Sequence, residues 1–274
     1  MPSSPTSTGR LGQALSFALV IGHWSLALAA PLPRAHSHND YEHKRPLLDA
    51  LEQGFGSVEA DIYLVEGKLL VAHARKDLKP ERTLAALYLD PLKARVAQNG
   101  GQVHAGGNGF TLLIDIKDDA ASTYAVLREV LAAHAPMLTR FTPTNTSPGA
   151  ITVVLSGNRP TEQVAAESVR WCGIDGRFAE LTSNPSPHLI PLVSDSWKTH
   201  FDWAKDGKLA EADRTKLRAL VAQAHREGRK IRFWGAQDQP FIWREQFEAG
   251  VDFINTDKLA ELRAFLLSVP SSQP

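Results

Sequence analysis

The stretch Ser57-Val58-Glu59-Ala60-Asp61-Ile62-Tyr63-Leu64 decides how the chain folds. Extended, it sends Glu59 and Asp61 to one face and Val58 and Ile62 to the other, because successive side chains alternate across a strand. Two neighbouring carboxylates repel, and packing gives no reason to place them side by side. A strand buried on both faces of a parallel sheet has no solvated side for them either, so they call for a cation between them. Downstream, Glu66-Gly67 reads as a turn leading into Val71-Ala72-His73, and upstream lies Ala35-His36-Ser37-His38-Asn39-Asp40. Acids and histidines therefore gather around this one strand.

Further out, β-rich apolar runs alternate with helix-period segments. Strands are expected at 34–38, 57–64, 68–73, 110–117, 150–155, 168–173, 192–194, 230–235 and 251–255, and helices at 46–53, 82–98, 121–135, 161–168, 211–227, 240–249 and 258–267. Such alternation with fully apolar strands indicates a parallel sheet covered on both faces. Its near-complete repetition favours an α/β fold of the TIM type, a (β/α)8 barrel, regular or irregular, with a β-hairpin after the second strand. Polar, Pro-rich loops fall at 141–149 and 182–191, and residues 30–274 read as one domain. Barrels of this kind carry their active sites at the carboxyl ends of the strands. Glu59, Asp61 and the run Leu112-Leu113-Ile114-Asp115-Ile116-Lys117 bring charge to that end.

Lys plus Arg and Asp plus Glu number 30 each in the 274 residues, so no net basic field is present to hold nucleic acid or an anionic membrane. The single cysteine, Cys172, has no partner for an internal disulfide and reads as a small buried hydrophobe. Residues 11–29 are mostly apolar and end in Ala27-Leu28-Ala29, the small-x-small pattern of a signal peptide cleaved after Ala29. The mature chain is then expected to be secreted or periplasmic, an uncleaved anchor being the alternative. No other run is apolar and long enough to span a bilayer.

The ordered combination of His36-Ser37-His38-Asn39-Asp40-Tyr41, Glu59-Ala60-Asp61, His73 and Leu113-Ile114-Asp115-Ile116-Lys117 resembles the glycerophosphodiester phosphodiesterases and phosphatidylinositol-specific phospholipase C-like enzymes. With Val153-Val154-Leu155-Ser156-Gly157-Asn158, Arg232-Phe233-Trp234 and Val251-Asp252-Phe253-Ile254-Asn255-Thr256-Asp257, the pattern is most similar to the branch named after altered inheritance of mitochondria protein 6. The resemblance implies metal ligation by Glu59, Asp61 and Asp115, acid-base work by His36 and His73, and a phosphate contact from Lys117. His36 is preferred over His38 because Ala35-His36 and Asn39 fit the family spacing, and Asn39 and Trp234 join Lys117 as candidate substrate contacts. Two departures stand out. The larger family commonly has Arg-Gly after its first histidine and a glutamate where Asp115 stands.

Three carboxylates without a thiolate make an all-oxygen site, suited to one Mg²⁺ or Ca²⁺. With one histidine to take a proton and another to give one, the chemistry implied is hydrolysis of a small-molecule phosphodiester or a lipid-derived substrate. Each residue also has a plainer reading. Asp115 competes with Asp118 and Asp119 to cap the next helix, and Lys117 has those same acids as partners. Trp234 is equally suited to packing, Asp257 to capping the last helix, and His43, His104, His134, His188, His200 and His225 to the surface. Ser156-Gly157-Asn158 is a secondary candidate at the same mouth. Two rival functions use the same residues: a metal-dependent amidohydrolase holding its ion with the His36-Ser37-His38 pair, and an exported barrel that binds without turnover.

The hairpin carries a geometric condition. A two-residue loop pairs Val65 with Lys68 and, continued regularly, sets His73 opposite Ala60, away from both acids. A three-residue loop pairs Val65 with Leu69 and sets His73 opposite Asp61. The catalytic reading expects the second register or a bulge of equal effect.

Overall fold

The computed structural model describes Met1 and residues 30–107, 109–183, 185–202 and 207–270. Apart from Met1, the expected signal peptide lies outside the described residues. The strands are β1 (Leu32–Ser37), β2 (Phe55–Val65), β3 (Lys68–Val71), β4 (Phe110–Ile116), β5 (Arg140–Phe141), β6 (Thr146–Ser147), β7 (Ile151–Gly157), β8 (Gly173–Gly176), β9 (Leu192–Ser196), β10 (Lys230–Trp234) and β11 (Ile254–Thr256). The helices are α1 (Leu48–Glu52), α2 (Asp90–Gln98), α3 (Ala120–Ala132), α4 (Thr161–Ala166), α5 (Glu180–Ser183), α6 (Trp197–His200), α7 (Glu211–Arg226), α8 (Pro240–Ala249) and α9 (Leu259–Ser268). Eight strands lie in the order β11-β1-β2-β4-β7-β8-β9-β10, each parallel to its neighbours. A single parallel bridge between Arg232 and Phe253 joins the two ends, so the barrel is nearly closed.

Strand parity explains both layers of the core. Val58, Ala60 and Ile62 of β2, Leu112, Ile114 and Ile116 of β4, and Val153 and Leu155 of β7 belong to the large buried cluster that includes the covering helices. The opposite faces supply Leu113, Val154, Leu192 and Phe253, which form a separate small cluster. We read this second cluster as the barrel's own apolar plug, since a barrel of eight strands is filled by side chains in layers. Toward the carboxyl ends, the same inward positions turn polar: Glu59, Asp61, Asp115, Ser156, Asp175 and Arg232.

Three expectations are corrected. The strand expected at 168–173 begins instead at Gly173, where Val154 pairs with Gly173 and Leu155 with Ile174. A Cβ on Gly173 would lie 2.5 Å from the Pro191 ring, so glycine admits that close approach. The helix expected at 82–98 is broken into a wide π turn, Ala85–Leu89, followed by α2. Pro91, near the start of α2, lacks the N–H that a continuous α-helix would need there. Finally, the hairpin has the two-residue register, Val65 with Lys68 and Ile62 with Val71. Both turn residues have positive φ, 48° at Glu66 and 75° at Gly67, the geometry of a tight hairpin turn.

That register does not carry His73 away from the acids, because the ladder stops first. β3 ends at Val71, and Ala72 makes one last contact, its N–H donating to the Asp61 carbonyl at 3.3 Å. The chain then leaves the sheet before regular pairing would assign His73 a face.

Candidate active site

The loop after β1 is built around Asp40. Its carboxylate accepts from Ser37 Oγ at 2.8 Å, from the Leu47 N–H at 2.5 Å and from Tyr88 Oη at 3.0 Å. Asn39 takes the left-handed conformation, φ 49°, that asparagine tolerates better than most residues. The turn thus held presents His38, Asn39 and Tyr41 around the end of the barrel to which β2 and β4 bring their acids.

One oxygen from each of Glu59, Asp61 and Asp115 lies within 4.8 Å of the other two. Lys117 Nζ is 3.0 Å from Asp61 Oδ2 and 3.0 Å from Asp115 Oδ1. Arg232 Nη1 donates to Glu59 Oε2 at 3.1 Å. The remaining Asp61 oxygen, Oδ1, is buried without a hydrogen-bond partner. A buried carboxylate oxygen left bare beside two other carboxylates fits a hard divalent cation, which would satisfy the lone pair and relieve the repulsion. The repulsion is visible in the acidities. Burial, and then the charge on Glu59, push the Asp61 carboxyl up to about 6. Burial also works against ionised Glu59, but the Arg232 guanidinium beside it holds that group below the usual carboxylate range. For Lys117, burial favours the neutral amine, yet Asp61 and Asp115 hold it above the ordinary lysine value.

The histidines fall into two kinds. His36 is 1% exposed, with Nδ1 2.8 Å from Ser57 Oγ and Nε2 2.9 Å from Arg232 Nη1. A guanidinium only donates, so Nε2 accepts and the ring proton sits on Nδ1. Burial lowers this imidazole to about 4, which leaves it neutral. His38, just past β1, is partly open to solvent and sets Nδ1 2.9 Å from Asp257 Oδ1. Burial lowers its basicity, but the Asp257 contact outweighs burial and the net shift is upward. His73 is 64% exposed at the side chain, with Nδ1 3.1 Å from Tyr41 Oη and 3.5 Å from Asp61 Oδ2, its ring stacked on Tyr41 at 6.2 Å between centroids.

Several plain readings give way here. Asp119, not Asp115, caps α3, accepting from the Ser122 N–H at 2.9 Å, and Asp118 pairs with Arg75 at 2.6 Å. Lys117 therefore turns to Asp61 and Asp115 rather than to those two. Asp257 does not cap α9, whose N-cap is Lys258; its carboxylate meets His38 instead. His104 is buried against the Phe55 carbonyl at 2.8 Å, not on the surface. Cys172 is fully buried, and burial pushes its thiol up to about 12. Trp234 ends β10 on the same strand face as Arg232, 39% exposed. Among the described residues, the metal-competent group of three contains no histidine, and Arg232 occupies the His36 nitrogen that a histidine-bound metal would need. Among the described residues, no cluster offers the histidine ligands of the amidohydrolase arrangement.

Two members of the site escaped the sequence reading. Arg232 has a signal that could have found it: a cation between Ile231 and Phe233 on a barrel strand must point inward and must have an anion there. Tyr41 donates to Asp61 Oδ2 at 2.7 Å from a loop, where no periodicity marks it.

The family to which this barrel and its acidic end belong is one of phosphodiesterases. The chain belongs to the AIM6-like phosphodiesterase domain family, whose model matches residues 29–172. It is 30% identical over 276 residues to altered inheritance of mitochondria protein 6 of Eremothecium gossypii, covering 85% of this chain and 69% of that one. The Arthroderma benhamiae homolog is 28% identical over 265 residues, covering 86% and 84%. The crystal structure of a glycerophosphodiester phosphodiesterase from Parabacteroides distasonis shares the fold, with a TM-score of 0.52 at 15% identity over 86% of this chain and 97% of that one.

Proposed function

We propose that this phosphodiesterase is metal-dependent, that Glu59, Asp61 and Asp115 hold one Mg²⁺ or Ca²⁺, and that its substrate is a glycerophosphodiester or a phospholipid-like diester. The observation that carries the reading is the bare, buried Asp61 Oδ1 within a three-carboxylate cluster. When bound, such an ion supplies Lewis-acid stabilisation of charge on the phosphoryl oxygens. Lys117 adds a fixed positive charge at the same place, and Asn39 and Trp234 remain candidate contacts to the rest of the substrate.

Proton transfer falls to two histidines, one taking the proton of the attacking water or hydroxyl and the other giving a proton to the leaving oxygen. His73 is one of them. For the other, the geometry favours His38 over His36, which the spacing had suggested. His36 would have to break from Arg232 to use Nε2, whereas His38 is anchored through Nδ1 and has Nε2 outside that anchor. His36 then serves as the neutral ring that holds Arg232 against Glu59. The N-terminal signal pattern supports export of the enzyme.

The test uses protein stripped with a chelator and titrated with Mg²⁺, Ca²⁺ or Zn²⁺ against a panel of glycerophosphodiesters and lysophospholipids. Restoration of turnover by one hard ion, and not by zinc alone, is expected. Full turnover in stripped protein would overturn the metal reading.

A further inference from the structure

Asn39 and Tyr41 touch both rim histidines. Tyr41 Oη lies 2.7 Å from Asp61 Oδ2, 2.7 Å from the Asn39 side-chain amide and 3.1 Å from His73 Nδ1. The other end of that amide lies 2.9 Å from His38 Nδ1 and 3.4 Å from Asp257 Oδ1. The path His38, Asn39, Tyr41, His73 is thus continuous at hydrogen-bond distance.

Counting protons decides which way the amide faces, since its oxygen and nitrogen are assigned from the network around them. Asp257 Oδ1, 2.9 Å from His38 Nδ1, only accepts, so that nitrogen carries the proton. The Asn39 atom facing a protonated Nδ1 at 2.9 Å is then its oxygen, which places the amide NH2 toward Tyr41 and leaves the Asn39 and Asp257 oxygens, 3.4 Å apart, sharing the His38 proton. The same answer comes from the other end. Tyr41 has one proton, and the Asp61 carboxylate takes it; an amide oxygen at 2.7 Å would leave two acceptors competing for it. With the nitrogen facing Tyr41, the phenol oxygen donates once, to Asp61, and accepts twice, from Asn39 and from His73 Nδ1–H. Every proton has a place.

We infer that Asn39 and Tyr41 are positioning residues that form one bridge between the rim histidines, holding both as Nδ1–H tautomers with Nε2 directed to the substrate. This rests on the acid-base reading of His38 and His73. It also reassigns Asn39, whose amide is used up within the bridge, from substrate contact to orientation of the histidines.

The test is ¹⁵N–¹H correlation of the imidazoles in the full chain with ¹⁵N-labelled histidine, at one fixed pH, before and after Mg²⁺ is added. Wild type should show Nδ1–H for His38 and His73; an Nε2–H signature with Nδ1 unprotonated for either overturns the bridge without any variant. Tyr41→Phe should free the His73 tautomer, and Asn39→Ala should do the same through loss of the amide that holds Tyr41, while Asp257 keeps His38 as Nδ1–H. Each should lower kcat ~10- to 100-fold, as loss of an orienting partner does elsewhere, with KM little changed. The double variant should be no worse than the poorer single one. A His73 tautomer unchanged in both variants, or losses that multiply, would overturn the bridge. Full turnover in both His38→Ala and His73→Ala would instead overturn the acid-base reading and leave the tautomer result standing.

Discussion

Asp61 meets Lys117 and Tyr41 through one oxygen and nothing through the other. Asp61→Asn removes a negative charge from the cluster, so calorimetry should find Mg²⁺ or Ca²⁺ binding lost and turnover should fall with it. Wild-type affinity in that variant would exclude Asp61 as a ligand. Because burial and Glu59 raise the metal-free Asp61 carboxyl to about 6, an incoming ion must displace a proton below that pH. Metal affinity should then fall as pH drops through 6, approaching about tenfold per unit, and stay level above it. A flat profile between pH 5 and 7 would show that Asp61 is already ionised without metal. The histidines differ at the same scale. His38→Ala and His73→Ala should each lower turnover by roughly 10²- to 10⁴-fold. His36→Ala should cost stability more than chemistry; if it alone abolishes turnover in a folded protein, the choice between the two first-strand histidines reverses.

At the scale of elements, the hairpin and the loop after β1 do the positioning. Gly67 has open space around the site of a Cβ, so Gly67→Ala would meet strain only from its positive φ. The expected cost is about 1–2 kcal/mol in urea denaturation. Since the ladder ends at Val71, two residues short of His73, turnover of the folded Gly67→Ala protein should match wild type. A loss of turnover without a loss of stability would mean that the turn sets the His73 ring directly. The same ending of β3 explains why register counting from the sequence misplaced His73: counting assumes the strands stay paired, and here they part.

At the scale of the whole barrel, one inward charge has partners that no local pattern names. Arg232 stands where β10 meets the Phe253 bridge that brings the barrel's two ends together, buried against His36 and Glu59. Arg232→Met would leave Glu59 ionised and unpaired in the interior, a loss expected to cost about 3–5 kcal/mol. The denaturation midpoint should fall accordingly, and added Mg²⁺ should restore part of it by compensating Glu59. A midpoint equal to wild type would remove Arg232 from the account of closure. By itself the sequence determined the parallel barrel, because alternating apolar strands and helix-period segments have few other ways to bury both faces of a sheet. It also determined that Glu59, Asp61, Asp115 and Lys117 share one end, because strand parity and direction are local properties. Only the tertiary structure decided what those groups touch: Arg232 on Glu59, Tyr41 between Asp61 and His73, Asp257 on His38. Those contacts join residues up to 219 positions apart, and contacts across such separations follow from how the barrel closes and where each ladder ends, which no stretch of sequence specifies on its own.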